Sequence, residues 1–306
     1  MTSDEAAIRA VAASRTRRGI PDRHLPAAAM VGAAILWGSA PVATKVALGS
    51  VTPFVLSSVR WTLSLAVLAV LLRRSGMRPV IELRVAGTAL FGMVAFTVLF
   101  SYGVQRTTAA NTTLIHAATP MLIAILAAAF LGESISRAGG LGIALSIAGV
   151  GVIVGGATLG GSILGNLLVA GSALSWAIFT VLNRRIVVGR NPLAVTAGTA
   201  IFGLALFIPA AGVEVLTTEQ AAVGWEAVAT TVYLALGPSL AAYLLYGFAL
   251  SRLPAGRVAV WGNLGPVVGI AAAALALGEP ITRLHVVGGL LVFAGVWVGN
   301  RRSLHG

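Results

Sequence analysis

The 306-residue sequence contains no cysteine, and only 10% of it is charged. The first absence excludes disulfides, thiolate metal sites, thiol nucleophiles and iron–sulfur clusters. The second excludes a water-coated globule, since an average soluble domain carries roughly 25% charged residues. No GxxxxGK[ST] loop is present, so the chain does not hydrolyse nucleotides by that device. Three of the four histidines, His24, His285 and His305, lie in the tails or at the end of an apolar run, far apart in sequence. They do not combine with acids into a metal cluster, a nucleophile–base pair or a carboxylate dyad. No enzyme chemistry, cofactor or metal is expected.

What is abundant is apolar surface. Hydrophobic residues make up 58% of the chain, with 37 glycines and a mean hydropathy of +0.94. A membrane span needs about 20 mainly apolar residues. Ten segments qualify: 26–48, 53–72, 83–104, 108–131, 138–156, 164–182, 193–211, 226–249, 256–277 and 284–299. The predicted fold is an all-α membrane protein in a lipid bilayer. The net charge of +12 could suggest nucleic acid. Its distribution argues otherwise, because the basic residues form short clusters between apolar runs and not one face. Arg9, Arg15, Arg17, Arg18 and Arg23 precede the first run, which is too long for a signal peptide's apolar core. Residues 1–25 and 301–306 are therefore expected as cytoplasmic tails. With the N-terminus inside, most Lys and Arg fall in cytoplasmic segments, as the positive-inside rule requires.

The chain also repeats itself. Residues 103–155 match 249–301 at a constant offset of 146, placing Pro120 over Pro266, Leu131-Gly132-Glu133 over Leu277-Gly278-Glu279, Arg137 over Arg283 and Gly149 over Gly295. Trp37 and Lys45 pair with Trp176 and Arg184 at an offset of 139. Each half, 26–157 and 164–300, thus holds five spans. Five is odd, so the second half enters the membrane from the opposite side. Such inverted repeats are a recurrent architecture of secondary transporters, with the solute site near the midplane between halves.

The carrying residues are Trp37-Gly38-Ser39 followed by Lys45, Arg60, Thr119-Pro120 and Leu131-Gly132-Glu133. Their second-half counterparts are Ser175-Trp176, Gly265-Pro266 and Leu277-Gly278-Glu279-Pro280. Taken in order over residues 26–300, they resemble the drug/metabolite transporter superfamily with two EamA-type repeats. The resemblance implies a multi-pass carrier of a bacterial-type inner membrane working by alternating access. Spans 1, 3, 4, 6, 8 and 9 would surround a central cavity, with spans 5 and 10 peripheral. It is nearest to bacterial exporters of amino acids, aromatic ones included, and of other small metabolites. Drug or nucleoside carriage within the same fold, or a channel, are the alternatives.

Polar and aromatic residues inside spans are costly and usually face a cavity or a partner. The expected cavity lining is Trp37, Thr44 and Lys45 from span one; Thr97, Phe100 and Tyr102 from span three; Thr112, His116 and Thr119 from span four; Trp176 and Phe179 from span six; Tyr243 and Tyr246 from span eight; and Trp261 and Asn263 from span nine. A threonine there can instead bond back to its own helix. Lys45 either snorkels to the interface or attracts a solute carboxylate. Arg60, deeper in span two, is expected to meet helix carbonyls where the halves join. Pro120 and Pro266 are candidate hinges. Glu133 with Arg137, and Glu279 with Arg283, are spaced for intrahelical ion pairs. Gly151/Gly155 and Gly295/Gly299 are spaced for close helix contact, and a homo-oligomer is one use for them. No Asp or Glu stands in the middle of a span, the usual place for an ion-coupling carboxylate.

Overall fold

A computed structural model describes residues 24–131, 135–155, 161–187, 190–219, 221–250, 261 and 264–300. All regular structure among them is helical. Eight helices are long and apolar enough to cross a bilayer, and two shorter apolar helices complete the set of ten. We number them in chain order. In the first half α1 is His24–Ala47, α2 Pro53–Arg74, α3 Leu83–Arg106, and α5 Arg137–Gly155. Between the last two, α4 runs as two pieces, Ala109–Ala117 and Thr119–Leu131. The second half holds α6 Ile163–Val187, α7 Pro192–Thr217, α8 Trp225–Leu250, α9 Leu264–Leu277 and α10 Arg283–Asn300.

Local chemistry sets the boundaries. Pro53 and Pro192 open α2 and α7, where the missing N–H costs nothing. Asn191 and Thr108 cap α7 and α4 through their side chains. Gly76 and Gly278 adopt φ of 65° and 63°, a left-handed conformation that favours glycine. After Gly278 the chain folds back, and the Glu279 N–H reaches the Ala273 carbonyl, 3.2 Å away. This backward bond across the left-handed glycine closes α9. The glycine of the Leu-Gly-Glu motif thereby fixes where the following carboxylate points. Pro120, second residue of the second α4 piece, has no N–H and crowds the carbonyl of His116, so the helix breaks at Ala118.

The two halves correspond even in their irregularities. Helix α3 carries a π-helical turn at Leu90–Ala95, and α8 carries one at Gly237–Ala241. These positions match at the offset the sequence repeat defines. Helices α5 and α10 pack together on a glycine seam. A side chain at Gly142 or Gly149 would collide with the backbone of Gly295 or Gly288, and one at Gly295 with Ser146. The seam uses one of the two expected glycine pairs. Gly295 and Gly299 face α5 within the chain, while a side chain at Gly151 or Gly155 would meet nothing within 4 Å. Register explains this: Gly142 and Gly149, seven apart, lie on the face that meets α10.

Candidate functional site

Helices α1, α3, α4, α6 and α8 bring one continuous band of rings to the centre of the bundle. The Trp37 ring lies 5.4 Å from Tyr246 and 5.6 Å from Tyr243, between centroids. Tyr243 lies 6.0 Å from Trp176, which contacts Phe179 at 5.1 Å and Phe96 at 5.2 Å. Phe96 stacks on Phe100 at 5.5 Å, and both rings meet His116 edge-on. Such pairs prefer tilted or edge-to-face arrangements, as most of these do. Except for Phe100, the band's rings are only half-buried, although they face one another.

Two cross-half hydrogen bonds hold the band at the π turns. Trp37 Nε1 donates to the Pro238 carbonyl at 3.1 Å, and Ser175 Oγ donates to the Phe91 carbonyl at 2.8 Å. The donors sit on α1 and α6, and the acceptors on α8 and α3. Each half therefore reaches into the π turn of the other, at adjacent positions of the repeat: Trp37 corresponds to Trp176, next to Ser175, and Phe91 to Gly237, next to Pro238. A π turn leaves a carbonyl out of the regular ladder, and such turns concentrate at functional sites. Gly38 lets the α9 backbone lie against α1 beside Trp37, since a side chain there would meet the Gly265 carbonyl. Gly92, in the α3 π turn, has the Phe179 ring against it in the same way.

His116 Nε2 lies 2.9 Å from Ser172 Oγ. The Ser172 hydroxyl already donates to the Val169 carbonyl, so the imidazole donates and Nδ1 is left as the acceptor. Arg60 Nε donates to Ser239 Oγ in the α8 π turn. The side-chain hydroxyl stands where helix carbonyls are expected from the sequence, because the π turn aims Ser239 at α2.

The remaining expected residues fall elsewhere. Lys45 is not free: its ammonium pairs with Glu279 at 2.9 Å and donates to the Thr107 carbonyl at 2.8 Å. Glu279 also accepts from the Ala109 and Ala110 N–H groups, at 2.9 and 3.0 Å. This replaces the expected Glu279–Arg283 pair. Residues 278–282 are not helical, so the two side chains are not one turn apart. Glu133 and Asn263 lie outside the described residues, and Arg137 opens α5 with an exposed side chain. Thr112 is fully buried and bonds back to the Thr108 carbonyl. Thr44, Thr97 and Thr119 are buried. Trp261 is exposed. Tyr102 lies away from the band, under Arg106 and beside Phe54, on an apolar groove of about 250 Å³ between α3 and α6. Pro120 marks the α4 break, and Pro266 sits in the first turn of α9.

Sequence reasoning missed Phe96, the ring that joins α6 to α4. Its spacing of four from Phe100 was the available signal. It also placed His285 at a span end and gave it no partners. The structure buries it: Nδ1 accepts from the Thr282 N–H at 3.0 Å, so Nε2 carries the proton and donates to Asn111 Oδ1 at 2.8 Å. Asn111 continues to Asn166, joining α10, α4 and α6.

Ten apolar helices in two inverted halves, with an aromatic centre between them, define a polytopic carrier-type membrane protein. The EamA-like transporter family matches residues 25–155 and again 163–301. The chain belongs to that family and is a transporter of the drug/metabolite superfamily. It is 30% identical over 284 residues to a probable terminal-alkyne amino-acid exporter of Streptantibioticus cattleyicolor, covering 90% of this chain and 93% of that one. A probable amino-acid metabolite efflux pump of Salmonella typhimurium is 27% identical, covering 86% and 91%. The Bacillus subtilis transporter YetK is 28% identical over 68% of this chain and 64% of its own length. A crystal structure at 21% identity superposes with a TM-score of 0.66 over 93% of this chain and 99% of the other, which supports the fold.

Proposed function

We propose that the protein exports small amino-acid-like metabolites, aromatic ones included, across a bacterial inner membrane by alternating access. Both termini would lie in the cytoplasm, which the distribution of Lys and Arg supports. The observation that carries the reading is the band of half-buried rings shared by both halves, centred on Trp37, Tyr243 and Trp176. Aromatic faces bind planar and apolar bodies, while the Tyr hydroxyls and the His116 imidazole offer polar contacts. The names of the Streptantibioticus and Salmonella relatives point the same way. The test is uptake into liposomes by the purified protein, over a panel of amino acids, nucleosides and cationic dyes. Saturable uptake of apolar and aromatic amino acids is expected. Movement of dyes alone would refute the amino-acid reading.

A further inference from the structure

Arg60 is a guanidinium within a membrane span, and the described residues provide it with no counter-charge. It stands eight residues into α2, about 10 Å below the helix start. An arginine at such depth faces a partner or a water-filled cavity. Its contacts are the Ser239 hydroxyl and the face of Trp61, whose ring centroid lies 5.8 Å from the guanidinium carbon. Both ion pairs among the described residues, Lys45–Glu279 and Arg190–Glu82, are made elsewhere. Glu214, the acid nearest the start of α2, is engaged by the N–H groups of Phe54 and Val55. Arg60 is only half-buried, so part of its surface borders open space. Ser239 follows Pro238, whose carbonyl holds Trp37, and precedes Tyr243 by one turn. The guanidinium therefore sits at the edge of the aromatic band.

The repeat argues that this cation serves more than the fold. Pro53 and Pro192 open α2 and α7 at an offset of 139, which places Thr199 at the position of Arg60. Thr199 is buried and bonds back to the Val195 carbonyl of its own helix. A brace required by the five-helix unit would occur in both halves. This one occurs once, on the half-half interface.

We infer that Arg60 is the anion-binding point of the central site, and that the transported solute is a monocarboxylate whose apolar or aromatic body lies along the ring band. The inference rests on the carrier reading above and narrows it. With Nε committed to Ser239, the terminal nitrogens still offer N–H donors in a fixed plane to a carboxylate. One cation suits one negative charge; a phosphate dianion would be left half-neutralised in a low-dielectric site. The assignment moves the carboxylate-capturing role from Lys45, which Glu279 occupies, to Arg60.

The test pairs each carboxylate with the amide that lacks its negative charge: phenylalanine with phenylalaninamide, which keeps the amino group, and 3-phenylpropanoate with the neutral 3-phenylpropanamide. Binding to purified protein is read from indole fluorescence, and uptake is read in liposomes. Wild-type protein is expected to prefer the carboxylate by about tenfold or more in each pair. Arg60→Met should bring the ratio near one, and Arg60→Lys should leave an intermediate ratio, because lysine keeps the charge but not the fork. Equal affinity for acid and amide in the wild type overturns the inference, while flux of either leaves the carrier reading standing. A carboxylate preference that survives in Arg60→Met overturns it as well. Should Arg60→Met not fold, Arg60→Lys decides, and an undiminished ratio there is the contrary result. If no compound of the panel binds or moves, the amino-acid reading falls and this inference with it.

Discussion

Glu279 ties the start of α4 to α1. Its carboxylate takes the Lys45 ammonium from α1 and two N–H groups from the start of α4, while Lys45 also holds the Thr107 carbonyl. The helix N-terminus and the ammonium both favour negative charge at this point. Each partner keeps other contacts when its mate is removed, the ammonium the Thr107 carbonyl and the carboxylate the two N–H groups. Glu279→Ala should lower stability by roughly 2–3 kcal/mol, since it removes the counter-charge of the ammonium and orphans two N–H groups together. Lys45→Met should cost less, because the carboxylate keeps its two backbone donors. Exchanging the charges, Lys45→Glu with Glu279→Lys, should not restore stability, as an ammonium cannot accept from N–H groups. Thermal unfolding in detergent measures all three. Equal losses for Glu279→Ala and Lys45→Met would refute the capping role.

Among the elements, the α5–α10 seam gives the sharpest contrast. Gly149 would drive a side chain into the Gly288 carbonyl and Val292, whereas Gly151, two residues on, meets nothing. Gly149→Leu should therefore destabilise by about 3 kcal/mol or prevent folding. Gly151→Leu should be close to neutral. Comparable yields and melting temperatures for the two variants would count against the packing described. These helices also show what a sequence can and cannot disclose. The ten spans and their grouping into halves were legible, because apolar length and a constant offset are one-dimensional signals. Which glycines meet was not, since spacing alone does not give the face a helix turns toward its neighbour. The π turns were equally hidden: they accompany close packing at Gly92 and Gly237, and although Pro238 interrupts the helical bonding of α8, a proline alone does not specify a π turn. Trp37 and Trp176 were legible as candidates from their place in mid-span, and Tyr243 from its helical spacing with Ser239 and Tyr246. Lys45 was read with two possible roles, and its pairing with Glu279 was out of reach because the partner lies 234 residues away.

Viewed whole, the molecule is two inverted five-helix units that meet through paired contacts. Trp37 to the α8 π turn and Ser175 to the α3 π turn are related contacts, one residue apart in the register of the repeat. An arrangement of this kind lets each half move against the other while the band between them is retained. No carboxylate stands in mid-span, and the ammonium of Lys45 is committed to Glu279. His116 is the remaining group that could carry a proton, and its Nε2 is engaged by Ser172; downhill transport without an imposed proton gradient is expected. Strict dependence on such a gradient would contradict this. The most direct measurement of the central claim is counterflow in liposomes preloaded with an unlabelled aromatic amino acid. Transient, saturable accumulation of labelled solute is predicted for the wild type. At least a tenfold loss at unchanged stability, in order of magnitude, is predicted for Trp176→Ala, because Trp176 joins the rings of α3, α6 and α8. Counterflow that persists unchanged in Trp176→Ala, or flux that neither saturates nor responds to solute on the far side, would contradict it.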